Sequence, residues 1–187
     1  VSQEIMRANA IQNPIQFLVE HPGGLSLFPK RDASPNAYAS EDLGMGGRHV
    51  VFKRSMFNFF DNDDELAYVV GHEIAHIPLR HTLPVGRQAV RMAMGLVVGP
   101  LHARAMGKPL EAEADRVGVD YMVQAGYNPR HALNVIRKTF ADGTAFSRAI
   151  ATHPMGLQRV KALEAYIRKT YPEFLDPAVQ LDRLVDR

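Results

Sequence analysis

Two histidines separated by three residues, with a glutamate directly after the first, stand at His72-Glu73-Ile74-Ala75-His76. Positions i and i+4 of a helix share a face, so both imidazoles can present a nitrogen to one divalent cation. Glu73 then lies close enough to take a proton from an attacking water. The chemistry this suggests is metal-assisted hydrolysis. Only three positions of the string are fixed, so the rest of the chain has to support it.

The element that must carry the motif reads clearly. Asp61-Asn62-Asp63-Asp64-Glu65 offers an N-cap and acids for a first helical turn, and Leu66, Val69, Val70, Ile74 and Ile77 follow at helical spacing. The motif therefore sits on a buried helix. Pro78 ends or kinks that helix just past His76, because its ring has no N–H and clashes with the preceding turn.

A hydrolytic zinc needs a third protein ligand and one open position. His81 is nearest, but closure at that range follows His-Glu-x-x-His-x-x-Gly-x-x-His, and positions 79 and 82 hold Leu79 and Thr82. Further on, Glu111, Asp115, Gly118 and Met122 fall on one face of a second helical pattern. Glu111 would complete a two-histidine, one-glutamate site, and Asp115 could accept the outer N–H of a ligating imidazole and fix its tautomer. Glu113 is expected to face solvent. Pro109 is expected in the first turn of this helix, starting just before Glu111, with Gly126 as its stop.

His-Glu-x-x-His, then Glu-x-x-Ala-Asp on a later helix, then Thr152-His153-Pro154 followed by Arg159 and Leu163 together carry a resemblance. From about Ser34 to Ala165 the chain resembles the gluzincin metallopeptidase family that contains the CAAX prenyl, HtpX, Oma-type and BepA-like proteases. The resemblance implies one Zn²⁺ per chain held by His72, His76 and Glu111, with Glu73 as general base and Asp115 supporting a ligand. It places His153 over the metal, either supporting the transition-state oxyanion or blocking the open position in a closed form. Asn36-Ala37-Tyr38-Ala39 resembles the family's substrate-binding edge strand, along which an extended peptide can pair by strand addition. Two departures stand out: residues 40–47 intervene before the second strand, and Gly107-Lys108-Pro109-Leu110 replaces the usual Ser-Arg approach to the third ligand.

The expected fold is α+β: a mostly helical, zincin-like domain with a small antiparallel-edged sheet beside the metal-motif helix. The 187 residues suit a single metallopeptidase domain, and 46% hydrophobic content suffices for a core. Within it the core spans about 34–165, residues 1–33 form a polar helical start broken by Asn13-Pro14 and His21-Pro22, strands fall within 36–60, and 172–187 is a tail. Asn128-Pro129 is expected to start a helix towards Phe140, and Leu157, Val160, Leu163 and Ile167 to stripe a final one.

Composition narrows the function further. Net charge is +2 with scattered basic residues, and no aromatics interleave with a basic stripe, so nucleic acid is not an expected partner. With no cysteine, the metal cannot be held by thiolates and no disulfide reports on the compartment. The segment 92–101 is the sole candidate for peripheral membrane association. It is too short to span, and a buried helix or loop is the plainer reading. His21, His49, His81, His102 and His131 are given no role. The chain starts at Val1 with no signal peptide visible, as a processed or shortened form would, and the resemblance points to the periplasm or a membrane surface of a bacterium.

The expected function is a zinc endopeptidase cutting extended or unfolded protein segments in quality control, with protein or peptide as the partner and oligomeric state open. The alternative is a catalytically latent, zinc-bound scaffold or chaperone that holds unfolded clients by strand addition.

Overall fold

Acidic capping residues, a run of apolar positions and a proline stop produce the helix at the centre of the molecule. The computed structural model describes residues 1–12, 14–20, 37–41, 47–81, 100–141 and 157–175. In chain order these form α1 (Ser2–Ala8), β1 (Ile15–Glu20), β2 (Ala37–Glu41), β3 (Arg48–Lys53), a 3-10 turn (Arg54–Asn58), α2 (Asp63–His76), α3 (Pro100–Gln124), α4 (Arg130–Ala141) and α5 (Leu157–Thr170). A short 3-10 turn, Pro172–Phe174, follows and buries Phe174.

The N-terminus of α2 is closed by Asn62, whose side chain accepts from the Glu65 backbone N–H at 3.0 Å, while Glu65 Oε2 accepts from the Asp61 N–H at 2.9 Å. Three acids in the first turn face the positive end of the helix dipole. Glu65 is also buried against α4, where Lys138 Nζ pairs with it at 2.6 Å. Asp64 accepts from the Asn128 N–H at 2.8 Å, tying the approach to α4 onto the start of α2.

From Ala67 to Ile77 almost every α2 side chain is buried, because α1, α3, α4 and the sheet surround the helix. Ile74, Val119, Met122, Ile136, Leu163 and Ile167 interlock at the centre of the core. Each such side chain contributes roughly 1.5–3 kcal/mol through removal of apolar surface from water. Across the far face of α3, Asp120 accepts from both Tyr166 and Tyr171 at 2.7 Å, fastening α5 and the turn after it.

The sheet has three strands in the order β1-β3-β2. β2 pairs antiparallel with β3, Tyr38 opposite Val51 and Ser40 opposite His49, which gives the antiparallel edge expected beside α2. β1 corrects the reading of residues 1–33 as a broken helical start, since Ile15–Glu20 runs parallel to β3, Phe17 opposite Val50. The β-branched and aromatic residues Ile15, Phe17 and Val19 are a strand signal. The partner strand lies some thirty residues downstream across a crossover, which local pattern does not reveal.

A second correction concerns α3, which begins at Pro100 and carries Pro109 in its interior, not in its first turn. Leu101, Ala103, Arg104, Ala105 and Met106 are strong helix formers, and the helix runs through the one backbone donor that proline removes. Gly126 stops it as expected, with φ +88. Among the described residues no helix is long and apolar enough to cross a membrane. Asn36, His153 and residues 92–99 lie outside the described residues.

Candidate metal centre

Tyr68, His72 and His76 follow one another at four-residue intervals, so they form a stripe along one face of α2. That face meets α3 where the two helices approach at Gly71 and Gly118. A Cβ built on Gly118 would lie 2.7 Å from His72 N and 2.8 Å from His72 Cα, and one on Gly71 would lie 2.6 Å from Gly118 O. Backbone therefore touches backbone beside the first histidine. One and two turns back along α3, this contact brings Asp115 and Glu111 over the imidazoles.

His72 Nε2 lies 3.1 Å from His76 Nε2 and 3.4 Å from Glu111 Oε2, and His76 Nε2 lies 3.8 Å from Glu111 Oε1. One ligand atom from each of the three residues falls within 4.8 Å of the others, and all three residues are buried. Donors placed about 2.0–2.1 Å from a tetrahedral zinc stand about 3.3 Å apart. The imidazole pair at 3.1 Å is close to that spacing, the carboxylate stands somewhat further off through its two oxygens, and two imidazoles with one carboxylate match the chemistry of such a site.

Behind the donors lies a buried charged network. His72 Nδ1 stands 3.0 Å from Asp115 Oδ1, which orients the ring so that Nε2 faces the site. Asp115 accepts in turn from Tyr68 OH at 2.7 Å and from Arg159 Nε at 2.7 Å, with Arg159 Nη2 on its other oxygen. Arg159 Nη1 reaches Glu111 Oε2 at 3.3 Å. A single guanidinium from α5 thus ties the candidate ligand carboxylate to the carboxylate that supports the neighbouring imidazole.

These contacts set protonation. Burial alone would raise Asp115, but the guanidinium of Arg159, with His72, holds it well below the usual carboxylate range. Burial disfavours a charged His72, yet hydrogen bonds to Asp115 and Glu111 and their negative charge outweigh it and push the imidazole up to about 10. A cation entering the site must displace that proton. Burial, then the nearby Asp115 carboxylate, raises Tyr68 well above its ordinary value, so its hydroxyl stays a donor.

Of the residues expected at the site, the structure brings His72, His76, Glu111 and Asp115 together. Glu73 is buried at 2% exposure, one position after His72. Ala37, Tyr38 and Ala39 lie on β2, at the end of the described strand order and beside α2. Sequence reasoning gave Tyr68 and His81 no site role, and named Arg159 only as part of the motif that carries the resemblance. Tyr68 was accessible from its four-residue offset to His72, whereas Arg159 arrives from a distant helix.

Glu113 reaches solvent as expected, but it also meets a histidine. Its side chain is 47% exposed, and Oε2 lies 3.4 Å from His81 Nε2. His81, set aside as an ordinary histidine, is nearly buried, with Nδ1 3.1 Å from His76 Nδ1.

A helical domain that buries two imidazoles and a carboxylate around one point, with a glutamate adjacent, is built as a metallopeptidase. The sequence matches the model of peptidase family M48 over residues 24–108 and 88–167, and the chain belongs to that family. It is 32% identical over 132 residues to the mitochondrial metalloendopeptidase OMA1 of Arabidopsis thaliana, covering 63% of this chain and 27% of that protein. It is 24% identical over 185 residues to the beta-barrel assembly-enhancing protease of Escherichia coli (strain K12), covering 83% of this chain and 35% of that protein. A protease HtpX homolog of Thermoplasma volcanium is 32% identical over 97 residues, covering 52% of this chain and 25% of the relative. The chain thus spans between a quarter and about a third of the length of these relatives.

Proposed function

We propose that this chain is a zinc-dependent endopeptidase of the His-Glu-x-x-His gluzincin type, cutting extended or unfolded polypeptide in protein quality control. The observation that carries the reading is the convergence of His72, His76 and Glu111. In this reading those three hold one Zn²⁺ per chain. When bound, zinc supplies Lewis acidity that polarises the scissile carbonyl and makes water nucleophilic near neutral pH.

The protein's own groups do the rest. Glu73 takes the proton of the attacking water and passes it to the departing amine. Asp115 holds His72 in the tautomer that offers Nε2, and Arg159 limits repulsion between Asp115 and Glu111. The resemblance assigns His153 either to donate to the developing oxyanion or to block the open position in a closed form; in the first role, loss of one such donor typically costs on the order of a hundredfold in rate. Ala37, Tyr38 and Ala39 on β2, with Asn36 before them in sequence, are the proposed edge on which substrate pairs as an added strand, supported by the position of β2 beside α2. We place this activity in protein quality control, in the periplasm or at a membrane of a bacterium, and the likeness to a protease named for enhancing beta-barrel assembly supports that placement.

The test is cleavage of casein as an unfolded substrate, with and without chelator. Chelator-sensitive cleavage by wild type is expected, together with full zinc content but no turnover in Glu73→Gln. Stoichiometric zinc with no peptide bond cut, even after His153→Ala, overturns the reading.

A further inference from the structure

We infer that His81 and Glu113 are positioning residues for the His76 imidazole, forming a second outer support to the metal site beside the Asp115–His72 pair. The inference rests on His76 being a metal ligand. His76 Nε2 is the nitrogen that faces His72 and Glu111, so a cation takes the lone pair there and the ring proton sits on Nδ1. That proton needs an acceptor, and the group at Nδ1 is His81 Nδ1, 3.1 Å away.

The tautomers then follow without freedom. His81 must offer a lone pair at Nδ1, so its own proton sits on Nε2, and Nε2 faces Glu113 Oε2 at 3.4 Å. His76 thus donates to His81, whose other ring nitrogen stands beside the Glu113 carboxylate. α3 accordingly supplies both Glu111 on the inner side of His76 and Glu113 at the end of its outer support.

The backbone is shaped to hold this arrangement. Beyond α2 the His81 N–H bonds the His76 carbonyl at 2.9 Å and the Arg80 N–H bonds the Ile77 carbonyl at 3.0 Å, the paired closure of a Schellman turn. Arg80 occupies the left-handed position of that turn with φ +57, where glycine is usual. The turn folds His81 back beneath the second motif histidine, and the His81 side chain is left only 6% exposed. The two supports differ in kind: Asp115 is buried and locked by Arg159 and Tyr68, whereas this one passes through a second imidazole to a half-exposed carboxylate.

The test compares zinc affinity, measured by competition with a chromogenic chelator, and the visible spectrum of the Co²⁺-loaded protein across four chains: wild type, His81→Leu, His81→Asn and Glu113→Ala. His81→Leu removes the acceptor and is expected to weaken zinc about 10- to 100-fold and to shift the cobalt bands. His81→Asn puts an amide oxygen near the place of Nδ1 and is expected to recover most of the affinity, which a merely space-filling role does not predict. Glu113→Ala is expected to weaken zinc less than His81→Leu does. Wild-type affinity and an unchanged cobalt spectrum in His81→Leu overturn the inference. Should His81→Leu fail to fold, judged by circular dichroism of the metal-free protein, wild-type affinity in Glu113→Ala overturns it instead. A wild type that takes up no zinc removes the metal reading and this support with it; a zinc-binding wild type beside an indifferent His81→Leu removes this support alone.

Discussion

Gly118 of α3 rests against the backbone of α2 at Gly71, so that no room remains for a methyl group on either helix at the crossing. This contact sets the distance between the two imidazoles on α2 and the two carboxylates on α3. A side chain at the crossing would hold the helices apart, as side chains do in ordinary helix pairs 8–10 Å between axes.

Gly118→Ala is therefore expected to lose roughly 1–3 kcal/mol of stability by overpacking, because the obstructing atoms at His72 are backbone. It is also expected to weaken zinc, since Glu111 and Asp115 move away with α3. Thermal denaturation and metal titration check both parts. Unchanged zinc affinity in a folded variant would show that the helix spacing does not govern the donors.

Arg159→Met leaves two buried carboxylates without their shared cation, and breaking such a pair from one side costs about 3–5 kcal/mol. Adding Asp115→Asn removes one of the stranded charges, so the double variant is expected to be more stable than Arg159→Met alone. Chemical denaturation of the four corners of this cycle measures the coupling. Additive losses would show that the two residues act separately.

The metal-free protein is expected to lose stability in acid. The folded-state value of Asp115 is depressed below its unfolded value near 4, mainly by Arg159 against the cost of burial. The contribution of its ionised form is thus present above about pH 4 and lost as pH falls further, towards the depressed folded value. Denaturation midpoints of chelator-treated protein between pH 6 and pH 2 should fall below pH 4, and the fall should shrink in Asp115→Asn.

Asn62→Ala removes the acceptor for the Glu65 N–H at the start of α2 and should cost about 1 kcal/mol. Because the metal donors stand at the other end of that helix, zinc affinity is expected to stay at the wild-type level. A denaturation curve paired with a chelator competition separates the two effects.

The high-pH limb has its own signature. Tyr166 is raised from 10 to about 12, by burial first and then by its hydrogen bond to Asp120. A folded-state value above the unfolded one means the contribution is complete below pH 10 and lost as pH rises through 12. Spectrophotometric titration should show Tyr166 ionising later than free tyrosine, and Asp120→Asn should bring it earlier.

Much of this was legible because it is local. The α2 helix follows from Asn62, the acids after it, the apolar spacing and Pro78, and the helix period alone places His72 beside His76. The same period put Glu111, Asp115 and Gly118 on one face of α3, although the smallness of Gly118 had no visible purpose until α2 was seen against it. What residue type and spacing determine on their own is thus the motif helix, the shared faces and the class of chemistry.

Only the tertiary structure decided which distant groups complete the site. Arg159 is useful because α5 carries it to Asp115 across 44 residues of sequence, and no short-range pattern encodes that meeting. β1 joined the sheet through a parallel crossover, where pairing depends on chain path more than on local propensity. His81 and Glu113 look like unremarkable polar positions until a left-handed turn at Arg80 and the packing of α3 on α2 bring them behind His76. A donor's partner is chosen by packing in space, and burial then makes that choice matter, because a polar group left without its partner in the interior is costly.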